Sequence, residues 1–243
     1  MCQSTSHWAA VLRRRCQGGD GGISWETAIF VGSKRGKVMT AENDSGSNRP
    51  LARSVRRALQ KRSIILVGMM GSGKSSIGRR LALALDLPFV DADAEIEAAA
   101  GMTIEDMFTV HGEPYFREGE ERVIRRILQG SPQVVSTGGG AVVSAQTREA
   151  IAESGISIWL DAPVDLLLQR VLRRDNRPLL KTADPKAVLE RLLSERRPYY
   201  AEAHLKIESR DAPHEVVVDE ILELLSSHLA AQEEGGALRK QEE

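Results

Sequence analysis

Cysteine is almost missing from this chain: only Cys2 and Cys16 occur among 243 residues. Both precede the first strong structural signal, so no disulfide framework holds the rest together, which suits a reducing cytoplasm. No stretch approaches 18 uninterrupted apolar residues, and a membrane-crossing helix is therefore excluded. Net charge is lacking too, with 33 basic against 34 acidic side chains and a formal total of −1. A generic polyanion binder working by charge alone does not fit that balance, so no nucleic-acid partner is expected. The five histidines, His7, His111, His204, His214 and His228, are scattered without a pair at ligand spacing, which leaves no zinc site. What remains is ordinary for a folded chain, 42% hydrophobic and 28% charged, and argues against wholesale disorder.

The charge total hides a split. Residues 1–62 carry 12 basic against 4 acidic side chains, a net of +8, while residues 63–243 carry 21 against 30, a net of −9. The first part also holds Gly18-Gly19-Asp20-Gly21-Gly22 and the polar run 41–50, and sustains no helical or strand period. It reads as a basic, mostly disordered extension, with room for one helix over 51–61. A transit peptide would be poor in acid, which Asp20, Glu26 and Glu42 contradict. A start at Met39 and a native tail both remain open. Residues 230–243 are polar, contain Gly235-Gly236, and read as a disordered C-terminal tail.

Between these ends, residues 63–229 alternate short β-branched runs with helical patterns. Ile64-Ile65-Leu66-Val67 is a continuous apolar run that stops at Gly68, as a buried parallel strand should. Further strands are expected at 89–90, 134–136, 156–160 and 205–207, with helices after 75 and over 113–128, 145–153, 163–173, 185–200 and 213–226. That alternation predicts βαβ units: an α/β domain with a five-stranded parallel sheet covered by helices on both faces.

The first strand runs into Gly68-Met69-Met70-Gly71-Ser72-Gly73-Lys74-Ser75, which fits G-x-x-x-x-G-K-[ST] at every fixed position. Gly71, Ser72 and Gly73 would curl so that main-chain N–H groups face phosphate oxygens, with the helix through Ser76 adding its positive end. Lys74 would reach the β- and γ-phosphates of ATP, and Ser75 would place its hydroxyl on Mg²⁺. ATPase, GTPase, kinase and plain binder all remain open here, although no Asn-Lys-x-Asp guanine reader occurs. The strand at 134–136 ends in hydroxyls, so an acid for the metal must come from elsewhere. Asp91-Ala92-Asp93, just past the second strand, is the nearest source. Two carboxylates there could divide metal binding from proton acceptance, or could simply cap the next helix. Gly138-Gly139-Gly140 follows the middle strand and lets a small molecule press against main-chain N–H groups. Arg117, among Glu113, Glu118, Glu120 and Glu121, is either an i,i+4 partner or a grip on an anionic substrate. Arg170, Arg173, Arg174 and Arg177 share one helical face if the helix persists, with Pro178 implying a loop at its end.

Taken together, residues 63–228 resemble the shikimate kinases. The marks are the 68–75 loop, Asp91-Ala92-Asp93 leading into Ile96-Glu97, and Tyr115-Phe116-Arg117 with Glu120-Glu121. They continue with Gly138-Gly139-Gly140, Arg177-Pro178-Leu179-Leu180, and Glu195-Arg196-Arg197-Pro198-Tyr199-Tyr200. The resemblance implies a P-loop kinase fold of the nucleoside-monophosphate-kinase type with a mobile lid, and transfer of the ATP γ-phosphate to the 3-hydroxyl of shikimate. It implies that Asp93 is the base, that Asp91 reaches Mg²⁺ through water, and that Arg117 and Arg197 hold the substrate carboxylate. It places Gly138, Gly139 and Gly140 along the ring site and Arg177 in the lid. Arg170 and the segment around Pro213 would flank adenine. A monomer in the cytoplasm follows from the same resemblance. A kinase for another polyol such as gluconate would give no reason for Arg117, the glycine run and Arg197 to occur together. An ATP-sensing module would give none for intact Lys74, Asp93 and Arg177.

Overall fold

A computed structural model describes residues 49–172 and 184–239, with the backbone alone from 235 onward. Five strands form one sheet: β1 (Ser63–Val67), β2 (Phe89–Asp91), β3 (Val134–Ser136), β4 (Gly155–Asp161) and β5 (Leu205–Glu208). Their spatial order is β2-β3-β1-β4-β5 and every pairing is parallel. β1 is buried along its whole length, which is why it reads as an unbroken Ile-Ile-Leu-Val run instead of an alternation. Consecutive crossovers leave β1 toward one side and later return to its other side, so the chain direction reverses around β1. The carboxyl ends of the strands at such a switch point form the crevice in which α/β sheets bind ligands.

The helices are α1 (Arg49–Leu59), α2 (Lys74–Leu85), α3 (Ala92–Ala100), α4 (Ile104–Leu128), α5 (Ala145–Ser154), α6 (Val164–Leu172), α7 (Pro185–Tyr200) and α8 (His214–Arg239). Side chains alternate across a strand, so Ile64 and Leu66 enter one core together with Ile156, Ile158 and Ile207. Leu59 from α1, Leu81 from α2 and Leu225 from α8 close that core. On the opposite face Trp159 stacks on Tyr200 of α7, with ring centroids 5.9 Å apart.

Three boundaries differ from the sequence expectation. Helix α1 is part of the folded domain and not of a disordered extension, because Ala52, Val55 and Leu59 lie on one face at helical spacing and are buried. The domain therefore begins by Arg49 instead of residue 63. Helix α8 continues to Arg239, past the tail expected from residue 230. Leu229 is buried there, and Arg62 donates to Gln232 Oε1 at 2.5 Å, tying the extended helix to the α1–β1 turn. Helix α4 starts at Ile104, where Thr103 accepts from the Asp106 amide, and breaks at Gly112 (φ 81°) before the stretch expected from 113. Residues 1–48, 173–183 and 240–243, and with them Met39, lie outside the described residues.

Candidate active site

The phosphate loop sits at the carboxyl end of β1. Gly73 precedes α2 at φ 98°, a left-handed conformation that a side chain would resist. Lys74 is buried, and its ammonium donates to the carbonyls of Gly68 (2.8 Å) and Met69 (2.9 Å), which arches the loop around it. Arg170 braces the loop from α6: it donates to Gly71 O at 3.4 Å, to Ser209 Oγ at 3.0 Å and to Arg210 O at 3.0 Å. Ser209 in turn donates to Ser72 O at 3.0 Å. Loop, α6 and the segment after β5 are thereby one hydrogen-bonded unit.

A cavity of about 390 Å³ opens along this unit. Gly71, Gly73, Lys74, Ser75 and Ser76 line it with Asp93 and Gly139, and Arg170, Ala212 and His214 line it as well. Pro213 is exposed and is not among the lining residues, although both its neighbours are. Ser72, completely buried with a hydroxyl that has no partner, is likewise not among the lining residues.

Asp91 caps a helix with one oxygen and meets the phosphate loop with the other. Its Oδ1 accepts from the Asp93 amide at 3.2 Å, capping α3, and its Oδ2 accepts from Ser75 Oγ at 2.7 Å. Ser136 Oγ stands 3.3 Å from Ser75 Oγ. These are hard oxygen donors beside Lys74, the set that suits Mg²⁺ when one or two protein groups and substrate phosphates share it. No group of three or more His, Cys, Asp or Glu able to hold a metal by itself occurs among the described residues. The donor set thus fits a metal that arrives with its nucleotide.

Past Asp93 the cavity meets a second cluster built on the glycine run. A Cβ on Gly138 would collide with Glu120 Oε1 and come within 2.9 Å of Asp93 Oδ1. A Cβ on Gly140 would lie within 2.6 Å of the Arg117 guanidinium carbon. Only glycine leaves these carboxylates and the guanidinium room to converge. Arg117 donates to Glu120 Oε2 at 2.6 Å and to Glu113 Oε1 at 3.0 Å, so the i,i+4 pairing is real and also aims the guanidinium at Gly140. Burial alone would lower the Arg117 guanidinium; Glu120 and Glu113 more than reverse it, and the net shift is upward. Glu120 also moves upward, because burial, reinforced by Asp93, outweighs the pull of Arg117. The pair therefore holds the cation firmly and leaves the anion under-solvated, with Glu120 Oε1 lacking any hydrogen-bond donor.

Arg197 is not in this cluster. It is half exposed, donates to Asp161 Oδ2 at 3.2 Å, and lies over the Trp159 ring. Its neighbour Arg196 is buried and comes within 3.7 Å of a Cβ position on Gly139. The correction has a simple cause. Leu189, Leu192, Arg196 and Tyr200 form the buried face of α7, and Arg197 is rotated off it. That apolar spacing was the available signal. Arg196, Glu120, Ser136 and Ser209 are site residues that motif reading alone did not single out. Arg173, Arg174, Arg177 and the expected lid lie outside the described residues.

Residues 70–226 match the family profile of shikimate kinase. A shikimate kinase of Bradyrhizobium diazoefficiens is 57% identical over 176 residues, covering 72% of this chain and 85% of the relative. One of Rhodopseudomonas palustris is 52% identical over 192 residues, covering 79% and 95%. Among solved structures, shikimate kinase from Acinetobacter baumannii in complex with shikimate is 40% identical. It superimposes with a TM-score of 0.69, covering 71% of this chain and 97% of that one.

Proposed function

Since the chain belongs to the shikimate kinase family, and its reaction is the ATP-dependent phosphorylation of shikimate, we propose how its residues divide that work. ATP occupies the cavity with its phosphates in the 68–76 loop and its base toward Arg170, Ala212 and His214. Ser75 would hold Mg²⁺, with Asp91 reaching it through water and Ser136 supporting Ser75. When bound, the metal neutralises charge on the β- and γ-phosphate oxygens.

Shikimate lies against Gly138, Gly139 and Gly140. Its carboxylate is gripped by Arg117 and Arg196, and its 3-hydroxyl faces Asp93. Asp93 accepts the hydroxyl proton as the oxygen bonds to the γ-phosphorus and the bond to the β–γ bridging oxygen breaks, releasing ADP. Lys74 compensates the anionic charge that spreads over the transferring group in a loose transition state. The roles of Arg177 and of lid closure are carried here from the family resemblance alone, as are the monomeric state and a cytoplasmic location. No helix among the described residues is long and apolar enough to cross a membrane.

One observation carries this reading: Asp93 lines the same cavity as Lys74 and Ser75 while its Oδ1 abuts the glycine run that Arg117 and Arg196 flank. Coupled ADP-release assays with shikimate, with gluconate and with no acceptor test it. Turnover should require shikimate. Asp93→Asn should lower kcat by about 10²–10⁴-fold, the range for losing a general base, with ATP binding nearly intact. Wild-type turnover in that variant would remove Asp93 from the role of base.

A further inference from the structure

Tyr200, the last residue of α7, has no part in the reaction just described, yet it is completely buried. Its hydroxyl donates to the carbonyl of Gly139 at 2.5 Å and lies 3.5 Å from Met69 Sδ. Its ring stacks on Trp159, and the Arg196 guanidinium one helical turn back exerts an electrostatic pull on the phenol. A buried phenol needs some acceptor, but this one has selected a main-chain carbonyl in the middle of the acceptor site.

The consequence follows from peptide geometry. The Gly139 carbonyl and the Gly140 N–H belong to one planar trans unit and point in opposite directions. Anchoring the carbonyl therefore sets the direction of the amide. The carbonyls on either side are also taken, Gly138 O by the Ala141 amide (3.3 Å) and Gly140 O by the Val143 amide (3.1 Å). The Gly140 N–H, by contrast, has no acceptor among the described residues. It is left on the side of the run away from the Tyr200 ring, at a residue whose α-carbon abuts Arg117. A peptide between two glycines meets little steric resistance to flipping, so without the phenol this donor would have no fixed direction. A donor whose own carbonyl accepts a hydrogen bond is also polarised and donates more strongly.

We propose that Tyr200 is a positioning residue for the acceptor: its hydroxyl locks the Gly139–Gly140 peptide so that the Gly140 N–H serves, beside Arg117 and Arg196, as a third donor to the carboxylate. This rests on the reading of the glycine run as the shikimate site. Burial pushes the Tyr200 phenol up to about 12, against the opposing pull of Arg196, so the hydroxyl keeps its proton and remains a donor across neutral pH.

Tyr200→Phe keeps the ring and its stack on Trp159 and removes only the hydroxyl. The KM for shikimate should rise about tenfold, the equivalent of one hydrogen bond to a charged group, while the KM for ATP and kcat change less than about twofold. A shikimate analogue with hydroxymethyl in place of the carboxylate should show no difference between variant and wild type. An unchanged shikimate KM, or equal rises in both KM values, overturns the proposal. A second measurement needs no variant: the Gly140 amide proton of the wild-type protein should move downfield on adding shikimate and stay in place with the hydroxymethyl analogue. No movement with shikimate overturns it equally. Failure of wild-type protein to phosphorylate shikimate would instead sink the functional reading beneath it.

Discussion

Arg196 and Arg197 are adjacent in sequence and about 100° apart around α7, and that rotation separates a substrate grip from a surface ion pair. Arg196 is buried beside Gly139, where an unsolvated guanidinium needs an anion and a substrate carboxylate supplies one. Arg196→Ala should raise the KM for shikimate at least tenfold, since hydrogen bonds to charged groups contribute about 1.5–3 kcal/mol. Arg197→Ala should leave that KM within about twofold, because exposed pairs contribute roughly 0–1 kcal/mol. Asp161 also keeps Lys206 at 2.9 Å in that variant. Initial-rate kinetics of the two variants side by side decide the matter, and the opposite pattern would return the carboxylate to Arg197. The motif Glu195-Arg196-Arg197-Pro198 carries no information about which arginine turns inward. The periodic burial of Leu189, Leu192 and Tyr200 does. Asp91 shows another limit of reading residues one at a time: capping α3 was set against a role in the site, yet a carboxylate has two oxygens, and while one caps α3 the other accepts from Ser75 of the phosphate loop.

At the scale of elements, signals with a local cause were readable. β1 is an apolar run because both its faces are covered, and the loop after it must begin at a glycine because a Cβ on Gly68 would sit 2.6 Å from Leu160 O. The ends of the domain were harder, because their packing partners are far away in sequence. Helix α1 is dominated by arginine and presents only three buried residues, and what makes it stable is α8, about 170 positions later. Tertiary packing of a narrow apolar face, not propensity, holds such a helix. Leu59→Ala should therefore destabilise the protein by about 2–5 kcal/mol, the usual range for emptying a fully buried leucine site. Removing residues 1–48 should leave the denaturation midpoint and the ATP KM near wild type, whereas removing residues 1–62 should lower the midpoint sharply. Equal midpoints for the two truncations would show that α1 contributes nothing to the core.

The carboxyl ends of the central strands bring Lys74, Asp93, Arg117 and Glu120 toward one site, and Glu120 is where fold stability and function oppose each other. Its carboxyl is buried next to Asp93, one oxygen has no donor, and its titration is displaced upward by burial first. For an acid whose folded-state pKa lies above the unfolded one, the folded form binds the extra proton. The stability this group contributes is complete below the ordinary carboxyl pKa of about 4.3 and is lost as pH rises through the displaced value. The ionised form of Glu120 is thus a burden on folding, but it is that form that holds Arg117 against Gly140. Glu120→Gln should separate the two effects. The wild-type unfolding free energy minus that of the variant should decrease steadily as pH is raised from 4 to 7, because only the wild type has a proton to lose. In the wild type the KM for shikimate should fall as pH rises through the Glu120 titration, as the carboxylate forms and Arg117 is fixed, and the variant should lack that part of the pH dependence. Chemical denaturation at a series of pH values measures the first quantity and initial rates the second. A stability difference that does not vary with pH would mean that the Glu120 carboxyl carries no net upward shift in the folded protein, the pull of Arg117 fully offsetting its burial.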